Sequence, residues 1–263
     1  MRGAARLDDL RRFTTDDLRA CPPGSGVRVA ILDSGVASSL LGDAANEHSF
    51  AVRQRGLLGA VERCEPGDVN HHGTAIASIL REIAPDAELT SVRLVDDQGR
   101  GSSSALRTAL AHVIREGFDV VNLSLGTRNR DLLLEVYDLV DQAAVAGVVL
   151  VCATDNAGPP DYPAACTSLI AVDRLASADP FALGFRAGHR VGFLARGYDI
   201  DVAAPSGARR LVTGASFACA HVAAFAARLR SARPGLHPFE VKTALHAASL
   251  AAPVESFPTS AGP

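Results

Sequence analysis

Short apolar runs alternate with helical patterns along most of the chain, and this alternation restricts the fold more than any other feature of the sequence. Five runs have the length and apolar content of buried strands: 27–32, 89–95, 120–123, 148–153 and 169–172. Helical patterns lie between or after them at 74–83, 103–116, 132–146, 217–231 and 238–248. Strands that alternate with helices form βαβ units, in which helices cover both faces of a mainly parallel sheet. The sequence therefore predicts an α/β protein with three α/β/α layers.

The predicted elements divide the chain into three segments. Residues 1–26 are charged and end in a linker-like stretch, so we expect an N-terminal extension with a short helix packed on the outside. Residues 27–250 form the predicted α/β domain, and a chain of 263 residues is long enough for one sizeable core. Residues 251–263 are predicted to be a frayed C-terminal tail.

Composition excludes several classes of partner. The net charge is −3 and there is no long basic run, so we expect no nucleic-acid partner. No apolar stretch approaches the roughly 20 residues that span a bilayer, and the N-terminus lacks the apolar core of a secretory signal. We therefore expect no membrane association and a cytoplasmic location. The five cysteines are odd in number and form no CxxC pair, which favours reduced thiols over disulfides or zinc.

Three polar segments supply the groups of a nucleophilic site. Asp33 follows the first predicted strand, His72 begins a predicted helix, and Ser216 heads the alanine-rich helix near the C-terminus. A serine that attacks a carbonyl needs a base for its proton and a carboxylate that orients the base, and these residues provide all three types. Each also has a structural alternative, since Asp33 could cap a turn, His72 could cap its helix, and Ser216 could be an N-cap.

These segments resemble the subtilisin-like serine proteases, the subtilases, in motif and in chain order. Asp33-Ser34-Gly35 is similar to the D-[ST]-G motif, His72-Gly73-Thr74 to H-G-T, and residues 214–221 to G-T-S-x-A-x-P-H. Residues 120–126 resemble the strand that lines the substrate cleft, and residues 149–156 the strand that ends in the oxyanion asparagine. The resemblance covers about 27–248.

The resemblance implies a subtilisin-like fold and a role for each matched residue. Ser216 would be the nucleophile, His72 the base and then the acid, Asp33 the carboxylate that orients His72, and Asn156 a donor to the oxyanion. Asn156 also falls just beyond a strand, where α/β sheets place their sites. The implied partner is a peptide or protein substrate.

The sequence departs from the family pattern in ways that predict modest activity or narrow substrate choice. Ala215 replaces a threonine before the nucleophile, Ala220 replaces a proline, and Asp155 stands beside Asn156. The calcium-binding loop that many relatives carry after the histidine is missing, so we expect no metal and no cofactor. A metal site of Asp68, His71 and His72 is disfavoured because adjacent residues on a helix do not face one ion well. His71 is expected to be a bystander.

The resemblance also implies a pocket for the residue that precedes the cut. Its walls would be Ser124, Leu125 and Gly126 on one side and Ala153 and Thr154 on the other. Asp161 would lie near its base and pair with arginine or lysine in the substrate, unless it only caps a turn beside the prolines.

For the biological role, we expect a dedicated processing or maturation protease. A protein encoded in the same gene cassette is a candidate partner. The alternative is a catalytically impaired pseudo-protease that binds peptides or regulates another protein. Labelling with a fluorophosphonate separates the two.

Overall fold

A nine-stranded sheet runs through the centre of the computed structural model, which describes residues 7–40, 48–55, 58–154, 161–186, 192–204 and 208–251. The strands within these ranges are β1 Arg28–Asp33, β2 Gly35–Val36, β3 Ser49–Arg55, β4 Leu58–Arg63, β5 Gly67–Asp68, β6 Glu88–Arg93, β7 Val120–Leu123, β8 Val149–Ala153, β9 Ile170–Leu175, β10 Leu183–Arg186, β11 Gly192–Arg196, β12 Ile200–Ala203 and β13 Arg209–Val212. The α-helices are α1 Leu7–Leu10, α2 Thr15–Ala20, α3 His72–Ile83, α4 Ser103–Arg115, α5 Leu133–Val145, α6 Ala215–Ala232 and α7 Pro238–Ala251.

The sheet is parallel except at its two edges. Its order is β10-β11-β9-β8-β7-β1-β6-β3-β4, and only the outermost pairs, β10 with β11 and β3 with β4, are antiparallel. β1 lies in the middle, with Ile31 opposite Ser91 of β6 and Asn122 of β7. Strands buried on both faces have continuous apolar sequences, which is why β1, β7 and β8 are recognisable from sequence alone.

Helices cover both faces, so the predicted three-layer α/β/α architecture is confirmed. One face carries α3, α6 and α7, and the other carries α4 and α5. α6 is buried on nearly all sides, because it contacts β7, β8, β9 and β11 below it and α3 and α7 beside it. Its many alanines allow this close approach, since larger side chains would hold the helix away from the sheet.

The N-terminal segment differs from the single outer helix predicted. It contains two short helices, and Thr14 caps α2 in a capping box with Asp17. Leu10 and Leu18 are fully buried in the same core as α6 and α7. The sequence pattern concealed this packing because charged residues surround each buried leucine.

A buried arginine joins this N-terminal segment to α6. The Arg228 guanidinium donates to the backbone carbonyls of Leu18 (3.2 Å), Arg19 (2.7 Å) and Cys21, and to that of Ile83 at the end of α3 (2.9 Å). A buried guanidinium without a carboxylate needs such acceptors, because an unsatisfied buried charge is strongly destabilising. Arg228 therefore holds three separate parts of the chain together.

The strands that were not predicted from the sequence include β3, β4 and β10 to β13, besides the two-residue strands β2 and β5. The longer ones lie at the edges of the central sheet or in the small β12–β13 hairpin, where one side faces solvent and the apolar pattern is weaker, while β2 and β5 pair only with each other. Residues 252–263 of the predicted tail lie outside the described residues. Within the part of the chain that is described, each helix is too short or too polar to traverse a bilayer.

Candidate active site

Asp33 and His72 form a hydrogen-bonded pair at the carboxyl end of the central strand. Asp33 is the last residue of β1, and His72 is the first residue of α3. The His72 Nδ1 lies 2.8 Å from Asp33 Oδ1 and 3.0 Å from Oδ2. Because Nδ1 donates its proton to a buried carboxylate, Nε2 of the neutral ring is left without a proton and can act as a base.

Two glycines allow the strand and the helix to approach this closely. A β-carbon on Gly73 would overlap the carbonyl oxygen of Gly35 and lie 3.2 Å from the Asp33 β-carbon. Gly35 itself has φ +111°, a backbone conformation that residues with side chains rarely adopt. These steric limits explain why both motifs contain a glycine within two residues of Asp33 or His72.

Asp68 connects the segments that carry the pair. Its Oδ1 accepts from the Ser34 hydroxyl (2.6 Å) and from the backbone N–H of His71 (3.0 Å) and Asn70 (3.2 Å). Its Oδ2 accepts from the backbone N–H (2.7 Å) and the hydroxyl (2.6 Å) of Thr74. The Ser34 hydroxyl in turn accepts from the Gly73 N–H at 3.1 Å.

A metal site formed by Asp68, His71 and His72 would require a different arrangement of these side chains. Both Asp68 oxygens point at protein donors, and Nδ1 of His72 points at Asp33. Asp68 instead accepts from N–H groups in the first turn of α3. These groups have no backbone acceptor within the helix, so they need an acceptor such as a side chain. The N-cap is His71, in the left-handed conformation with φ 63°, and its side chain makes no capping hydrogen bond.

The electrostatics around His72 favour its charged form. Burial alone would lower the pKa, but the hydrogen bond to Asp33, the charge of Asp33 and the more distant charge of Asp68 together raise it above the ordinary value of 6.5. Arg210 acts in the opposite direction and limits the increase in this pKa. The site is thus suited to hold an imidazolium during a reaction.

Ser216 lies in the first turn of α6, next to the residue that contacts His72. The ring of Phe217 packs against the His72 ring with centroids 5.2 Å apart. The N-cap of α6 is Gly214, so Ser216 is not the N-cap that the alternative interpretation required. Ser216 is partly exposed, and among the described residues its hydroxyl forms no hydrogen bond. Catalytic hydrogen bonds are often long before substrate binds and shorten in the complex.

His221 and the cysteines of this region have structural roles. His221 is buried, its Nδ1 lies 2.9 Å from the carbonyl of Phe217, and burial lowers its pKa to about 4. All five cysteines are free, and burial raises the pKa of Cys152 and Cys219, so both are uncharged thiols.

The predicted pocket residues lie at the ends of two adjacent strands. Ser124, Leu125 and Gly126 follow β7, while Ala153 ends β8 and Thr154 follows it. The carboxylate of Asp161 lies directly against Gly126, in the position that a β-carbon there would occupy. Its charge also contributes to the raised pKa of Cys152 on β8. Asp161 therefore lies near both predicted walls.

The remaining predicted pocket residues contribute in different ways. The Thr154 hydroxyl donates to the carbonyl of Val172 (3.2 Å), and the Ser124 hydroxyl accepts from the side-chain amide of Asn122 (3.1 Å). Leu125 packs on the core under α4 and α5. Asn156 and Asp155 lie outside the described residues.

Sequence reasoning missed Asp68 as a positioning residue and considered it only as a metal ligand. It also missed Arg210, whose guanidinium lies 3.3 Å from the carbonyl of His71. A signal for Asp68 existed, since an aspartate shortly before a helix often accepts from N–H groups of the first turn. No local pattern marked Arg210, because it lies near His72 only as a result of tertiary packing.

Comparison with known proteins identifies the family. The family model described as the Subtilase family matches residues 24–262. The chain belongs to the subtilase family. Subtilisin E of Bacillus subtilis strain 168 is 30% identical over 226 residues, which cover 80% of this chain and 57% of that relative. Subtilisin of Bacillus pumilus is also 30% identical over 226 residues, and there the match covers 79% of the relative.

A solved structure supports the same assignment at the level of the fold. A cold adapted subtilisin-like serine proteinase superimposes with a TM-score of 0.65 and 22% identity, over 84% of this chain and 81% of that one. The chain spans 57% of the length of subtilisin E, so the full-length relative contains sequence that this subtilase does not match.

Proposed function

We propose that this subtilase is a serine endopeptidase that uses Asp33, His72 and Ser216, with Asn156 as a donor to the oxyanion. The observation that carries the proposal is the hydrogen-bonded pair of Asp33 and His72 beside the first turn of α6. Membership of the subtilase family supports the same reaction. Since Asn156 lies outside the described residues, its role rests on the resemblance of residues 149–156 to the family.

The proposed reaction has two halves. His72 Nε2 removes the Ser216 proton while the hydroxyl oxygen attacks the substrate carbonyl, and Asp33 stabilises the resulting imidazolium. The tetrahedral oxyanion is held by the Ser216 N–H at the positive end of α6 and by Asn156. His72 then protonates the departing amine, which leaves an acyl group on Ser216. Water, deprotonated by His72, hydrolyses this ester and regenerates the hydroxyl.

Covalent labelling with a fluorophosphonate tests this proposal. We expect labelling of the wild type at Ser216, identified by mass spectrometry of the modified peptide, and no labelling of Ser216→Ala. Ser231→Ala is a matched control on the same helix, because its hydroxyl donates to the carbonyl of Ser25 (2.8 Å), which is far along the chain from the site. Unlabelled wild type with a normal thermal unfolding transition would refute the enzyme. It would favour a peptide-binding pseudo-protease, which is supported by the finding that the Ser216 hydroxyl forms no hydrogen bond with any of the described residues.

We also propose that the enzyme cleaves after arginine or lysine. Asp161 supports this preference, because its carboxylate lies against Gly126 of one pocket wall and near Cys152 of the adjacent strand. A substrate guanidinium that entered between the walls would meet this carboxylate, and charge-assisted hydrogen bonds of this kind are strong.

Peptides that differ only in the residue before the cut test the preference. We expect kcat/KM for arginine to exceed that for leucine by about 10- to 100-fold, the range that a charge-assisted hydrogen bond supplies. Asp161→Asn should remove most of the difference. Equal rates for arginine and leucine in the wild type would refute the specificity while leaving the catalytic proposal intact.

For the biological role, we propose a processing protease that acts on one or a few peptide or protein substrates in the cytoplasm. The substitutions around the nucleophile, Ala215 and Ala220, support narrow rather than general cleavage. The five free cysteines support a reducing compartment. A partner protein encoded in the same cassette remains our candidate for the substrate or the activator.

A further inference from the structure

We propose that Arg210 recognises an acidic residue within the first two positions of the substrate after the cut. This inference rests on the proposed peptidase function and adds a preference on the leaving-group side. Arg210 belongs to the β12–β13 hairpin, which packs against α3, the helix that His72 begins. Its Nη2 lies 3.3 Å from the carbonyl oxygen of His71, the residue before the catalytic base.

The position of Arg210 assigns it to the leaving-group side. The proposed acyl side is defined by Gly126 and Asp161, which lie against each other beyond β7. Arg210 instead contacts the start of α3, where His72 delivers a proton to the departing amine. The substrate chain beyond the scissile bond must pass His72 and therefore comes within reach of a long, exposed arginine side chain.

The charge of Arg210 is not neutralised among the described residues. The neighbouring Arg209 takes the nearby acid, since its Nε lies 2.7 Å from Asp201 Oδ2. Asp68, the acid closest along the chain to His71, already accepts five protein hydrogen bonds. Within the described ranges the Arg210 guanidinium makes one long contact, to a neutral carbonyl, and its remaining donors match a carboxylate in geometry and charge.

An acidic substrate would also relieve an unfavourable interaction in the reaction. Arg210 lowers the pKa of His72, in opposition to Asp33 and Asp68, so it disfavours the imidazolium that the mechanism requires. A substrate carboxylate bound to Arg210 would reduce this repulsion as the proton moves to His72. The preference should therefore appear in kcat as well as in KM.

Peptides with a constant arginine before the cut test the inference. The first and second residues after the cut are each varied among aspartate, alanine and lysine, and kcat/KM is measured at low and at high salt. We expect aspartate to exceed alanine about fivefold at one of the two positions at low salt, as for a well-placed exposed ion pair. High salt should reduce the ratio, because the site is open to solvent.

Variants of the two adjacent arginines separate a specific contact from general charge. Arg210→Met should bring the ratio of aspartate to alanine close to one, and Arg210→Glu should favour lysine. Arg209→Met is the matched control, because it removes the same charge one residue away on the opposite face of the hairpin, and it should retain the preference. Thermal unfolding of each variant checks that the hairpin is intact.

Three results would overturn the inference: equal cleavage of the aspartate and alanine peptides at both positions, a preference that survives in Arg210→Met, or one lost equally in Arg209→Met. If no peptide is cut, binding of the same peptides to Ser216→Ala provides the readout, and equal affinities for acidic and neutral peptides refute the role of Arg210. Absence of both cleavage and fluorophosphonate labelling would instead refute the proposed peptidase function.

Discussion

Replacement of Gly73 by alanine should separate His72, the proposed catalytic base, from Asp33 while leaving every titratable group in place. The new β-carbon would overlap the Gly35 carbonyl oxygen, and because this is a backbone atom, no side-chain rotation relieves the clash. Relief requires the start of α3 and the segment from Asp33 to Gly35 to move apart by about 1 Å, a displacement large enough to cost about 100-fold in rate. The Asp33–His72 hydrogen bond, now 2.8 Å, would be lost or greatly lengthened.

The assay is kcat/KM on a peptide with arginine before the cut, combined with calorimetric unfolding. We expect kcat/KM to fall about 100-fold, and we expect stability to fall by about 1–3 kcal/mol because the site becomes overpacked. Gly67→Ala is the matched control in the same region, since a β-carbon at 67 would meet nothing within 4 Å. Wild-type kcat/KM and stability in Gly73→Ala would refute the argument from close approach.

Four further predictions can be checked on the purified wild type and on single variants. His221 has a pKa of about 4 in the folded protein and about 6.5 in the unfolded chain. Between these values the unfolded chain binds more protons, so stability decreases as the pH is lowered, by about 2 kcal/mol from pH 7 to pH 5. In urea unfolding, His221→Gln should lack this loss. Arg228→Met leaves four carbonyl oxygens without their donor and should lower the free energy of unfolding by about 3 kcal/mol in urea titration. Unchanged stability would contradict the stabilising role of the Arg228 hydrogen bonds. The acid limb of the kcat/KM profile should lie above pH 6.5, because the pKa of His72 is raised and only neutral His72 is a base. Asp68→Asn should lower kcat with little change in KM, since Asp68 positions the ends of β1 and α3 and does not touch substrate; an unchanged kcat would remove its positioning role.

The interior of the fold was predictable from sequence, and its periphery was not. β1, β7 and β8 are buried on both faces, so their residues are apolar without interruption and the helices between them mark a parallel sheet. The β12–β13 hairpin has the exposed sequence Arg209-Arg210-Leu211 in its second strand, which carries no strand signal. It is held by pairing with β12, a tertiary interaction that periodicity does not record.

The site divides in the same way. Asp33, His72 and Ser216 could be proposed from sequence because each lies in a motif of a few neighbouring residues, and the Gly73 that allows the close approach of α3 is part of the motif of His72. The network around Asp68 was missed because its partners, Ser34 and Thr74, lie 34 residues before and 6 residues after it in the chain. A single sequence shows a candidate acid at this position but does not show what the carboxylate accepts from.

The hydrogen bonds of Arg228 to the N-terminal segment have a consequence for where this protein can be divided. The family match begins at residue 24, yet the hydrophobic core includes earlier residues, since Leu10 and Leu18 lie in the same core as α6. A recombinant chain started at residue 24 would keep every aligned residue and lose three of the four acceptors of Arg228. The charge of Arg228 would then lie without these acceptors on the helix that carries Ser216, so trimming to the residues that the family model matches should impair the proposed nucleophile from more than three helical turns away.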